Sequence, residues 1–273
     1  IVFWSKNPKP LLKEGGCLDY LDERKMNCYI QFTLNAYDKE KLERGGPPLQ
    51  ERIDTFKRLV DRLGFGKVIW RFDPMILTDT IGIEELLDKA HNIGEQLKGY
   101  TEKMVFSYAD IRTYRKVQSN LEKNGVNYRE FEAEDMLAIA KGLSELNNSW
   151  GYTLATCGEK VDLEPYGVVH NKCVDDDLMI KYFSDDVKLM EFLGVEIVKG
   201  DLFNPESTII KRKNNKDKGQ REFCGCIVSK DIGEYNTCPH MCEYCYANTS
   251  KETALRNWQQ HKLNPFAETI IGK

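Results

Sequence analysis

The 273 residues are 41% apolar and 30% charged, enough to supply a sizeable core and too apolar for a disordered chain. Lys and Arg number 39 against 43 Asp and Glu, and the resulting net charge of −4 gives no overall field to recruit nucleic acid or an anionic membrane. The apolar runs are a few residues long, against the roughly 20 that cross a bilayer. Neither a Met nor a signal peptide precedes Ile1, so the chain reads as a truncated cytoplasmic protein of one large domain.

Short apolar runs at residues 1–4, 28–32, 68–70, 104–106 and 152–155 each close on polar residues, as strands buried on both faces do. Helical periods lie between them. Pro48 at N1 opens an apolar face of Leu49, Ile53, Phe56, Leu59, Val60 and Leu63 that stops at Gly64. A second face runs from Ile83 to Leu97, a third uses Tyr114, Val117 and Leu121, and a fourth runs from Met136 to Leu146. This alternation predicts an α/β fold with a parallel sheet, either a complete or partial TIM-like β/α barrel or an open doubly wound sheet.

Further on, Asp175, Asp176 and Asp177 open one helix, Ser184 caps another that ends at Gly194, and Ser250 begins a last one with Leu255 and Trp258 on its buried side. Residues 211–221 carry six cations against one acid and read as a polar loop; such runs are usually solvated, so nucleic acid is an unfavoured partner. The division expected is a barrel core over residues 1–200 and a cysteine-rich iron–sulfur segment over 201–273, packed on the barrel.

Three of the nine cysteines, Cys238, Cys242 and Cys245, follow the spacing C-x3-C-x2-C, with Tyr244 directly before the last. Structural zinc sites pair cysteines as C-x2-C and need four ligands, whereas this loop supplies three. A 4Fe–4S cluster held by three thiolates keeps one iron free to dock a small molecule. The competing reading is a zinc knuckle that adds His240. Of the other six, Cys157, Cys173, Cys224 and Cys226 sit in polar, turn-like contexts and would suffice for a second cluster, the alternative being buried free thiols. Cys17 and Cys28 read as unligated.

The three-cysteine spacing with its aromatic resembles the signature of radical S-adenosylmethionine (SAM) enzymes. More broadly, residues 1–8, 31–35, 47–53, 68–74, 156–159 and 224–248 are similar to domain-of-unknown-function family 1848, described by radical-SAM-like cysteines near the C-terminus. The resemblance implies that Cys238, Cys242, Cys245 and Tyr244 serve a cluster that binds SAM. It implies reductive cleavage to a 5′-deoxyadenosyl radical, which abstracts hydrogen from an unknown small or macromolecular substrate. It also implies an electron donor such as flavodoxin or ferredoxin, oxygen sensitivity, and a strand missing before Ile1. Two departures stand out. The cysteine loop follows the last recognisable strand instead of the first, as a circular permutation would place it, and the Gly-Gly-Glu stretch that meets the SAM amino group is absent. The competing class is a non-catalytic iron–sulfur or zinc protein that binds a partner or nucleic acid.

In a β/α barrel the strand ends form the mouth of the site, which would gather Lys6, Asn7, Gln31, Thr33, Asn35, Arg71, Asp73, Ser107, Asp110, Thr156 and Glu159. Arg71 and Asp73, two residues apart on one strand face, are candidate catalytic groups or a structural ion pair. Glu159, beside Cys157, is a third candidate. His170 and His240 adjoin cysteines, but neither is needed to complete a ligand set.

Overall fold

The computed structural model describes residues 1–198 and 208–272. Its strands are β1 (Val2–Ser5), β2 (Tyr29–Thr33), β3 (Val68–Met75), β4 (Leu77–Thr78), β5 (Lys103–Tyr108), β6 (Tyr128–Arg129), β7 (Thr153–Thr156), β8 (Val168–His170), β9 (Val195–Val198) and β10 (Thr208–Lys211). The helices are α1 (Cys17–Glu23), α2 (Leu49–Leu63), α3 (Ile83–Gln96), α4 (Arg115–Lys123), α5 (Ala133–Trp150), α6 (Asp176–Tyr182), α7 (Val187–Leu193) and α8 (Lys251–Leu263).

Six strands make one parallel sheet in the order β1-β2-β3-β5-β7-β8. Spatial order follows chain order without a reversal, which removes the doubly wound alternative and matches the strand sequence of a β/α barrel. Closure is another matter: among the described residues β1 and β8 are the two edges and do not pair, so the sheet is open. The expected domain boundary at residue 200 lies outside the described residues. No described helix is long and apolar enough to cross a membrane.

The two-residue period of a strand assigns the faces. Ile30, Phe32, Val68, Trp70, Phe72, Met104, Phe106, Leu154 and Val168 point one way and pack with α2, α3 and α5 into the main core. Phe32 stacks on Phe56 of α2 at 5.5 Å, and the fully buried Trp70 donates its Nε1–H to Leu34 O at 3.0 Å. Large side chains buried this completely contribute about 1.5–3 kcal/mol each, so this layer dominates the stability. Tyr29, Ile69 and Val105 point the other way, against Leu178, Met179, Phe183, Met190 and Leu193 of the α6–α7 region and against Ile227. Both faces are therefore apolar, which is why the strands read as continuous runs.

The helix ends refine the sequence reading. Pro48 is the N-cap of α2 and not its first residue, while Gly64 closes it as expected. The cap of α7 is Asp186, whose carboxylate accepts from Leu189 N at 3.0 Å, two residues beyond the expected Ser184. Ser250 does cap α8, but Leu255 is exposed and Ala254 is the buried residue there. The cation run is not a free loop. Lys211 ends β10 and pairs with Asp176, Arg212 pairs with Glu196, and Lys213 and Lys216 donate to the backbone oxygens of Glu191 and Glu222. Four of its six cations are thus engaged internally, which weakens it further as a phosphate-binding patch.

Candidate metal centres at the strand ends

Toward the C-terminal ends of the strands the second face turns from apolar to polar, where Gln31, Thr33, Arg71, Asp73, Ser107 and Cys157 succeed Tyr29, Ile69, Val105 and Ala155. Thr156 is not among them; it pairs with Phe106 and shares that residue's face, toward the helices. The β3–β5 ladder shifts register between Phe72 and Met75, a local irregularity of the kind that re-aims side chains beside sites.

Arg71 lies at the centre of this polar end. The residue is 1% exposed; its guanidinium pairs with Asp73, donates Nη1–H to Gln31 Oε1 at 3.3 Å and to Cys173 Sγ at 3.1 Å, and lies over the Trp4 ring at 4.6 Å. Burial alone would raise the Asp73 pKa, yet Arg71 and the Ser107 hydroxyl outweigh it and hold the carboxyl below its ordinary value. Glu159 has the opposite balance: burial raises it, although Tyr108 N–H donates to its Oε1 at 3.3 Å.

Cys157, at the end of β7, and Cys173, just beyond β8, place their sulfurs 2.9 Å apart. Cys226 interacts with Cys173 and Cys224, and the four cysteines pack as a cluster of their own, separate from both apolar cores. Their surroundings are rich in donors. Asn171 Nδ2 donates to Cys173 Sγ at 3.1 Å, and the backbone N–H groups of Cys173 and Val174 donate to Cys226 Sγ at 3.1 and 3.4 Å. Hydrogen bonding with Cys173 draws Cys157 down to about 6 and Cys226 down to about 5, while Cys173 itself moves up. Tyr29 and Gln31 of β2 fix the turn that carries Cys173, their side chains donating to Cys173 O at 2.8 and 2.9 Å. His170 stacks on Phe223 instead of joining the sulfurs.

The loop bearing Cys238, Cys242 and Cys245 is docked on the segment that follows β2. Glu43 and Cys242 form an antiparallel bridge, Gly45 N–H donates to His240 O at 2.8 Å, and Glu243 N–H donates to Leu42 O at 2.9 Å. Gly45 permits this approach: a Cβ there would lie 2.4 Å from Pro239 O. Asn248 closes the loop on itself by donating to Cys238 O at 2.9 Å.

Tyr244 anchors the loop from within. Its hydroxyl donates to Glu43 and accepts from Lys6 Nζ at 2.9 Å and Asn35 Nδ2 at 3.1 Å. Glu43 also meets Lys6 at 2.8 Å and the buried Arg52 at 3.0 Å. Burial would raise the Glu43 pKa, but Lys6 and Arg52 outweigh it and hold the carboxyl below its usual range. Cys242 is buried, which pushes its thiol up to about 12; Cys238 is exposed and Cys245 half-buried. Cys238 Sγ is 3.2 Å from His240 Nδ1.

Among the described residues only Asp175, Asp176 and Asp177 bring three ligand atoms within 4.8 Å of one another. Those carboxylates are engaged by Lys103, Lys172 and Lys211 or by the α6 cap. Neither cysteine group is thus drawn onto a point. The loop triad is spread wider than the S–S edge of about 3.8 Å that Zn–S bonds of 2.3 Å impose. The two groups share one neighbourhood, since Asp73 interacts electrostatically with Lys6, and the Tyr246 hydroxyl with both Asp73 and Cys245. Lys6, Gln31, Asn35, Arg71, Asp73 and Ser107 are brought together here. Asp110 instead accepts locally from Thr113, and Asn7 from Lys9. Cys17 and Cys28 lie outside both groups. Glu43, Tyr29 and Arg52 are the supporting residues that sequence reading missed.

A family model described as domain of unknown function (DUF1848) matches residues 1–247. No curated protein and no solved structure matches the chain.

Proposed function

The chain belongs to the DUF1848 family, and from its strand-end geometry we propose that it is a radical SAM-type enzyme whose cluster ligands are Cys238, Cys242 and Cys245. The observation that carries this reading is the three-thiolate loop itself, docked beside the polar strand ends through the Glu43–Cys242 bridge and the contacts of Tyr244 with Glu43, Lys6 and Asn35. When bound there, a 4Fe–4S cluster would supply one iron without a protein ligand and one electron for opening the sulfonium of SAM. A flavodoxin- or ferredoxin-like protein is the class of donor this chemistry needs.

The chain's own residues hold and orient. Tyr244, through Glu43 and Lys6, fixes the loop against the segment after β2, so its sulfurs keep one position relative to the strand ends. Asn35 joins this network to β3, donating to Tyr244 and Asp73 O and accepting from Asp73 N–H. The Arg71–Asp73–Ser107 group presents a buried cation and a part-buried carboxylate, suited to holding the charged ends of a small molecule. Glu159, kept toward its neutral form by burial, is the group best placed to hold a proton at its carboxyl.

The 3.2 Å contact of His240 Nδ1 with Cys238 Sγ supports a second reading, a zinc knuckle of Cys238, His240, Cys242 and Cys245. Anaerobic reconstitution separates the two. Reduced protein with SAM should yield 5′-deoxyadenosine and methionine, and C242A should yield neither. A protein that carries a full cluster in the loop yet forms no product overturns the enzyme reading, and stoichiometric zinc there in place of iron establishes the second.

A further inference from the structure

We infer that Cys157, Cys173, Cys224 and Cys226 form a second metal centre, independent of the loop at residues 238–245 and closed by four protein thiolates. Three observations carry this, beginning with how the fold assembles the set. Two ligands come from the ends of adjacent strands, β7 and β8, and two from a C-x-C segment some fifty residues later, folded back over those ends. Four cysteines from three places meet in a cluster that contains no other fully buried apolar side chain. Free thiols behave as small apolar groups and would be expected inside the main cores, as Cys28 is.

The second observation is the donors aimed at sulfur. Cys173 Sγ receives a guanidinium N–H from Arg71 and an amide N–H from Asn171, and Cys226 Sγ receives two backbone N–H groups. Asp73 and Gln31 already offset the burial of the Arg71 guanidinium, but a neutral thiol is a weak acceptor for the Asn171 amide and for the two backbone N–H groups. Thiolates accept such bonds well, and N–H···S contacts of this kind are the outer shell that orients metal-bound cysteines.

The third is Asn171 itself, 1% exposed, whose Oδ1 has no hydrogen-bond partner while its Nδ2 is committed to the sulfurs. This polar side chain stays buried and half satisfied in order to face Cys157 and Cys173. The ligand chemistry is a soft cation, either zinc or the iron of a 4Fe–4S cluster; both take four thiolates. Loading with zinc requires the 2.9 Å pair, Cys157 and Cys173, to part by about 1 Å and the wider-spaced sulfurs to draw in toward a common edge of about 3.8 Å; a cubane needs the close pair to part further. Arg71 would then offset part of the thiolate charge.

The test removes the first site. C238A/C242A/C245A, purified anaerobically from cells, is assayed for zinc and iron, and its metal environment is read by X-ray absorption. The expected result is about one zinc or about four irons per chain with an all-sulfur first shell, the absorption edge naming the metal. The thiols of Cys157, Cys173, Cys224 and Cys226 should resist iodoacetamide until a chelator is added. In otherwise wild-type protein, C224S/C226S should lose that metal while keeping whatever the 238–245 loop binds. A folded triple variant, judged by circular dichroism, that holds neither metal and alkylates at all four cysteines overturns the inference. The triple variant alone decides the matter if C224S/C226S does not fold.

Discussion

Glu43→Gln tests how the cysteine loop is held. The carboxylate is 5% exposed and is met by Lys6 at 2.8 Å, Arg52 at 3.0 Å, Asn35 at 3.1 Å and the Tyr244 hydroxyl. The substitution keeps the shape and one acceptor oxygen but removes the charge, leaving Lys6 without its counter-ion and the 2%-exposed Arg52 with Asp38 alone, at 3.3 Å. Removing one partner of a buried ion pair costs about 3–5 kcal/mol; with the retained hydrogen bonding, about 3 kcal/mol is expected near neutral pH. Because the folded pKa of Glu43 lies below its ordinary value, the folded state binds fewer protons there than the unfolded state. This stabilisation is therefore complete above the unfolded value, about 4.5, and is lost as pH falls through the folded one. Urea unfolding of both metal-free proteins, near neutral pH and at about pH 3, measures the difference. It should be large at neutral pH and shrink in acid, as the carboxyl of the unfolded wild-type chain takes up its proton. A gap below about 1 kcal/mol at neutral pH, or one unchanged at pH 3, would refute the reasoning.

Gly45→Ala places a Cβ against the backbone of Pro239 and His240, and should detach the loop at a cost of about 1–3 kcal/mol. Proteolysis within residues 236–248 should accelerate while the far-ultraviolet circular dichroism of the sheet stays native. Gly46→Ala, whose nearest contact is Glu43 O at 3.4 Å, is the control and should leave proteolysis near the wild-type rate. Asp186→Ala removes the cap of α7 and an acceptor for Asn27, and should lower stability by about 1–2 kcal/mol in denaturant titration. No change in the midpoint would show that Ser184, the cap expected from sequence, suffices.

The sheet was legible where apolar side chains made a strand a continuous run: β2, β3, β5 and β7 are largely buried on both faces, β1 is an edge strand with Trp4 exposed, and all five lie at the runs read from sequence. β8 escaped because three residues, two of them exposed, carry no pattern; only pairing with β7 makes it a strand. α1 escaped as well, since a seven-residue helix with two buried leucines shows barely one period. Ser184 and Asp186 are equally good caps in isolation, and packing chose the second. At the site the difference is one of distance along the chain. The spacing of Cys238, Cys242 and Cys245 is local and can be read directly. The partnership of Tyr244 with Glu43, and of Cys173 with Tyr29, Gln31 and Arg71, joins residues more than a hundred positions apart and leaves no local trace. That the sheet stays open between β1 and β8 is equally invisible in periodicity, which reports faces and not the curvature of the whole sheet.

Tyr244 reaches Lys6 across 238 positions and Glu43 across 201, so the berth for the cysteine loop is made by residues that leave the ribosome long before the loop does. Loop closure over such separations is slow and rewards only a receiving surface that is already in order. The loop cysteines therefore emerge after the residues that seat them, onto a scaffold ready to receive them.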